Sequence, residues 1–156
     1  MSGTPRPRYV SVIGPGDADD ETYGLAHEVG RLVAVRGGVV VCGGLAGVME
    51  AAARGATEAG GVAVGILPDE DRRRVNPFLT HSVATGIGQA RNLAVVCSAD
   101  AVIAVGGGYG TLSEIGLALK VGRPVVALRG WDLGEHVAVA ASPEEAVERA
   151  LGRPGA

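Results

Sequence analysis

Two kinds of apolar segment alternate along this chain. Short β-branched runs bounded by glycine or proline read as strands: 9–14 (YVSVIG), 38–44 (GVVVCGG), 61–67 (GVAVGIL), 81–85 (HSVAT), 100–107 (DAVIAVGG) and 123–130 (RPVVALRG). Between them lie helical stretches at about 20–36, 47–60, 87–98 and 110–121. SPEEAVERAL, at 142–151, opens a last helix with Ser as N-cap, Pro in the first turn and Glu three residues after the Ser. A weaker strand at 136–141 (HVAVAA) precedes it. Strand–helix–strand units with short connections predict an α/β fold in three layers: a mainly parallel sheet of six to seven strands with helices on both faces. The near-continuous Val/Ile/Ala strands agree, since a parallel sheet is buried on both sides.

Composition narrows this picture. The 156 residues suit a single domain, expected to span 1–156 with loose ends at 1–7 and 152–156. Only five residues are aromatic, so the core is expected to be Val, Ala, Leu and Ile. Twenty-six glycines cluster between the apolar runs and show no collagen-like period. A net charge of −3 without a long Lys/Arg run argues against nucleic acid as a partner. The one basic cluster, DRRRVNP at 71–77, reads as a solvated loop. No apolar run is long enough to span a membrane and the N-terminus lacks a signal-peptide core, so a cytoplasmic protein is expected. Cys42 and Cys97 lie in apolar sequence and read as reduced, buried thiols. His27, His81 and His136 have no metal-ligand spacing, and no metal site is expected.

The candidate chemistry sits in three glycine turns at strand carboxyl ends, where open parallel sheets bind ligands. The first is GPGDADDE (14–21), whose Asp17, Asp19 and Asp20 suit a helix N-terminus better than a phosphate. Gly14 and Gly16 are left to line a cleft floor. The second is CGGLAG (42–47), with Gly43, Gly44 and Gly47 at a helix start. The third is GGGYGT (106–111), where Gly106, Gly107, Gly108, Gly110 and the Thr111 hydroxyl could form an anion site. Neither of the last two matches a dinucleotide fingerprint or a P-loop. Two readings of Glu114 stay open on the residues alone. TLSE (111–114) is a capping box, yet a cap does not need three preceding glycines. Arg91, early in the helix after the fourth strand, can face the same edge with a fork suited to phosphate or carboxylate.

Taken together, GGLAGVMEAAARGA, ARN and GGGYGTLSE resemble the LOG-like superfamily of Rossmann-type nucleotide-binding proteins. That superfamily, long labelled "possible lysine decarboxylase", includes cytokinin-activating phosphoribohydrolases and molybdenum cofactor carrier proteins. The resemblance runs from strand one to about Leu128 and is closest to the short bacterial branch near the carriers. It implies a Rossmann-like fold and a homodimer or higher homo-oligomer. It also implies a phosphorylated nucleotide-type ligand held by Gly107, Gly108, Gly110 and Thr111, with Arg91 and Glu114 as the catalytic pair where the bond between base and ribose 5-phosphate is cleaved. A carboxylate beneath the ribose would stabilise the positive charge that builds as this bond breaks. The chain departs from the hydrolase signature at Val105, where that signature has proline, and at Asn92, where it has lysine.

Pyridoxal-dependent decarboxylation needs a Schiff-base lysine. The only lysine, Lys120, falls at the far end of the helix that starts at the glycine turn, on the order of 13 Å away at about 1.5 Å per residue. The decarboxylase reading is therefore rejected. What remains is a nucleotide-type ligand site with no required cofactor. The site belongs either to a nucleoside 5′-monophosphate phosphoribohydrolase or to a non-catalytic carrier or sensor of molybdenum cofactor or a signalling nucleotide.

Overall fold

The structure, a computed structural model, describes residues 3–153. Its elements run β1 (Tyr9–Ile13), α1 (Asp20–Val35), β2 (Val39–Cys42), α2 (Val48–Glu58), β3 (Val62–Leu67) and β4 (His81–Ala84), then α3 (Arg91–Cys97), β5 (Ala101–Val105), α4 (Tyr109–Lys120), β6 (Val125–Leu128), β7 (Ala138–Ala140) and α5 (Pro143–Leu151). Single 3-10 turns at Gly88–Ala90 and Gly134–His136 precede α3 and β7.

The seven strands form one sheet in the order β4-β3-β2-β1-β5-β6-β7, every pair parallel. The chain steps outward from β1 to β4, returns through α3 to the centre, and steps outward the other way from β5 to β7. Strand order therefore reverses between β1 and β5, and the turns leaving those two strands diverge over a crevice.

Alternating side chains on the strands feed two cores. Val10, Val12, Val40, Ile103 and Val105 face α1, α2 and α5. Ile13, Val41, Val102 and Ala104 face α3 and α4. One polar side chain is buried in the central strand: Ser11, whose hydroxyl donates to the Val95 carbonyl of α3 at 2.5 Å. The α1–α2 contact is close because a Cβ on Gly55 would strike the His27 carbonyl and one on Gly30 the Ala52 carbonyl. Alanine-rich α2 meets Gly30 of α1 with Ala52, and its Ala51, Ala52, Ala53 and Ala56 are all fully buried.

Helix ends follow their caps. Asp19 accepts from the Thr22 amide at 2.7 Å and starts α1. Ser142 accepts from the Glu145 amide, and Glu145 accepts in return from the Ala141 amide, which is the expected SPEE device.

Three expectations are corrected. The helix predicted over 87–98 is a 3-10 turn followed by the seven residues of α3, because Gly86 and Gly88 hold positive φ and bar an earlier start. Cys97 is exposed rather than buried, since α3 turns Arg91, Asn92, Val95 and Val96 inward. The helix predicted from 110 begins at Tyr109 with Gly108 as N-cap, so Thr111 is not the cap. Of the ends expected to be loose, residues 1–2 and 154–156 lie outside the described residues. Residues 3–7 are exposed without regular structure, and the Gly152 carbonyl accepts from Arg36.

Candidate functional site

The crevice at the β1–β5 reversal opens into a cleft of about 330 Å³. Its floor is the end of β1 with Gly14, Pro15 and Gly16; its walls are the β2–α2 turn, the start of α3 and the start of α4. Gly14 closes the floor tightly, because a Cβ there would run into the Val105 carbonyl and the Val48 side chain.

Arg91 begins α3 and lies across the cleft wall. Its Nη2 donates to the Gly43 carbonyl at 3.4 Å, and a side chain at position 43 would push Arg91 and Met49 aside. A Cβ there would fall 2.8 Å from Arg91 Nη2 and 2.7 Å from the Met49 sulfur. Arg91 is only 6% exposed, and its Nε has no hydrogen-bond partner among the described residues. Burial lowers its pKa, while Glu114, Cys42 and Asp69 favour its charge. Asn92 beside it is also buried. Its amide donates to the Gln89 side chain at 3.3 Å, and its Oδ1 has no partner among the described residues. A buried guanidinium on a cleft wall with no carboxylate in hydrogen-bond contact is costly, and is suited to an anionic partner.

Glu114 lies in the second turn of α4, one turn beyond any capping position, so the capping-box reading is corrected. Its carboxyl faces the cleft and loses water there. Burial pushes its pKa up to about 7, against the pull of Arg91. A carboxyl at about 7 is present in both protonation states at neutral pH, which suits it to give or take a proton. Cys42, at the end of β2, is fully buried and its thiol is pushed up to about 11, chiefly by desolvation, so it is not a nucleophile at neutral pH.

The structure brings Gly14, Gly43, Arg91, Gly108, Gly110, Thr111 and Glu114 together around this cleft. Gly44, Gly47, Gly106 and Gly107 stand outside its wall, each occupied by protein. Gly47 has φ 68° and abuts Pro15 and Gly16. Gly106 has φ 72°, and its amide donates to the Leu128 carbonyl at 3.0 Å. A Cβ on Gly44 would strike Leu67, and one on Gly107 would lie 2.8 Å from the Trp131 ring. Of the three consecutive glycines, only Gly108 faces open space.

Several contributors escaped the sequence reading. Leu45, Met49 and Gln89 line the cleft. Asn76, 7% exposed, donates to the Leu45 carbonyl at 3.1 Å and accepts from the Phe78 amide, and so pins the 71–77 loop onto the β2–α2 turn. Trp131 donates its indole N–H to the Gly108 carbonyl at 3.1 Å. The available signal was position: Trp131, the single tryptophan, directly follows a strand at the edge where the glycines gather.

A parallel sheet with this order and a cleft at its reversal define a Rossmann-like α/β protein. The chain belongs to the SLOG cluster4 family, whose model matches residues 7–151. It is 49% identical over 138 residues to an uncharacterized protein of Archaeoglobus fulgidus, covering 88% of this chain and 91% of that one. The molybdenum cofactor binding protein of Rippkaea orientalis superposes with a TM-score of 0.88 at 39% identity, covering 94% of this chain and 96% of that one. The molybdenum cofactor carrier protein of Chlamydomonas reinhardtii gives 0.85 at 33% identity, covering 92% and 96%.

Proposed function

We propose that this protein binds and carries a phosphorylated small molecule with a fused heteroaromatic ring, of the molybdenum cofactor or nucleotide class, in the β1–β5 cleft. The observation that carries the reading is Arg91: a buried guanidinium on the wall of a cleft whose other side is the amide-rich start of α4. A ligand phosphate fits between them, with the Thr111 hydroxyl as a further donor. The similarity to two molybdenum cofactor proteins over more than nine-tenths of each chain supports the same ligand class.

A second reading is favoured by Glu114. Hydrolysis of a nucleoside 5′-monophosphate needs a group that positions water or holds charge beneath the ribose, and a cleft carboxyl at about 7 beside Arg91 is equipped for it. One experiment separates the two. The purified protein is incubated with nucleoside 5′-monophosphates and with neopterin 3′-phosphate, its melting temperature is followed, and free base is sought by chromatography. A raised melting temperature without base release supports the carrier. Base released by the wild type and not by Glu114→Gln supports the hydrolase. No thermal shift and no release would reject both.

A further inference from the structure

The rim of the cleft carries an aromatic pair that the phosphate site does not use. Tyr109, the first residue of α4, is 86% exposed, more than any other large hydrophobic side chain among the described residues. It sits between Gly108 and Gly110, both in the cleft wall. Its ring leans on Trp131, with centroids 6.2 Å apart and planes at 34°. Trp131 is itself fixed: its indole N–H donates to the Gly108 carbonyl, and its ring fills the space that a side chain at Gly107 would occupy.

This placement is costly in a chain so poor in aromatics. Two of the five stand at this rim. Of the others, Tyr23 and Phe78 pack against the core on the α1–α2 side and Tyr9 opens β1. The cleft wall holds no aromatic residue among those described, so it offers no flat apolar face to a ring. Gly107 is spent on seating Trp131, and Trp131 supports a tyrosine that buries almost nothing of its own. Neither hydrophobic burial nor helix capping accounts for Tyr109. A π-face beside an anion site does, because a heteroaromatic ring gains from stacking while its phosphate is held at the helix start.

We propose that Tyr109, buttressed by Trp131, is the stacking platform for the ligand's heteroaromatic ring and sets the preference for ring-bearing over ring-less phosphates. The proposal rests on the cleft being the anion site described above. It divides the site into two parts. Arg91 and the start of α4 hold the phosphate whatever it carries, and Tyr109 adds affinity only where a flat ring is attached.

The test compares guanosine 5′-monophosphate and neopterin 3′-phosphate with ribose 5-phosphate by calorimetry on wild type, Tyr109→Phe and Tyr109→Ala. Tyr109→Ala is expected to weaken the two ring-bearing ligands about tenfold, leave ribose 5-phosphate unchanged and keep the melting temperature; Tyr109→Phe keeps all three affinities. Trp131, the only tryptophan, reports from the site, so guanosine 5′-monophosphate should quench the intrinsic fluorescence and ribose 5-phosphate should not. Equal weakening of all three ligands, or of none, overturns the platform while leaving the anion site standing. So does a change in oligomeric state with affinities unaltered, which would make Tyr109 a contact between copies. If the wild type binds none of the probes, the anion site falls and the platform with it.

Discussion

Glu114 and Arg91 stand on the wall of one cleft, on α4 and α3, and the carboxyl there rests at about 7 because burial outweighs the attraction of the guanidinium. Neither side chain hydrogen-bonds the other; their influence is coulombic across the cleft. The ordinary carboxyl value is 4.5, so the folded protein binds this proton more tightly than the unfolded chain does. Its contribution to stability is complete below 4.5 and is lost as the pH rises through about 7. Urea denaturation between those two values should show wild-type stability falling by roughly 1–3 kcal/mol more than that of Glu114→Gln, whose profile should be flatter. Parallel profiles for the two proteins would place Glu114 in water and remove the physical basis for a proton-transfer role.

Arg91 should prove a poor contributor to stability and a necessary one for binding. Its charge is buried without a listening carboxylate in hydrogen-bond contact, and its Nε is unpaired among the described residues. Arg91→Met keeps most of the length and removes the buried charge, so the melting temperature should hold or rise. The thermal shift produced by phosphorylated ligands should disappear. Arg91 also pulls the Glu114 pKa downward, so in this variant the pH-dependent loss of stability should move above about 7. A variant that loses several degrees of melting temperature would make Arg91 a structural residue.

The glycine run should divide by position. Gly106 has φ 72°, and a Cβ there would lie 3.1 Å from the Thr22 methyl, so Gly106→Ala should cost about 1–2 kcal/mol in urea denaturation. Gly108 is extended, and its missing Cβ faces open space. Gly108→Val should cost about 1 kcal/mol or less as an N-cap change while abolishing phosphate binding, because the side chain would stand where the ligand approaches. Unchanged calorimetric affinity in Gly108→Val would move the phosphate away from the α4 N-terminus.

The contrast between Gly106 and Gly108 shows where the sequence was legible and where it stopped. Strand–helix alternation and glycine-bounded apolar runs were enough for a mainly parallel sheet of six to seven strands, seen as seven all-parallel strands, and for the edge that carries the cleft. That succeeds because buried parallel strands need unbroken Val/Ile/Ala runs and their turns need glycine. The glycine count did not say which glycine serves which need. Gly107 makes room for Trp131, and Gly130 is held close to Gly106, because a Cβ on it would strike the Gly106 carbonyl. Trp131 is more than twenty residues along the chain from the turn it packs on, and no local pattern encodes such a pair. TLSE shows the same limit: it is a good capping box locally, yet the chain enters the helix at Gly108, and Glu114 faces the cleft instead.

Asn76 offers the sharpest separation of shape from chemistry, since it supports the cleft without lining it. Its backbone amide donates to the Gly44 carbonyl at 3.0 Å, its side-chain amide donates to the Leu45 carbonyl, and its Oδ1 accepts from the Phe78 amide. These bonds fix the 71–77 loop against the turn that presents Gly43 to Arg91. Asn76→Ala deletes the two side-chain bonds and leaves the Leu45 carbonyl and the Phe78 amide to find water. Destabilisation of about 1–3 kcal/mol is expected by urea denaturation. Phosphate affinity should fall as well, because the Gly43 carbonyl that orients Arg91 gains freedom. Asn76→Asp keeps an acceptor for Phe78 and loses the donor to Leu45, so it should fall between wild type and alanine in both measurements. If stability drops in Asn76→Ala while calorimetric affinity stays at the wild-type value, the β2–α2 turn holds its shape unaided and Arg91 is oriented by α3 alone.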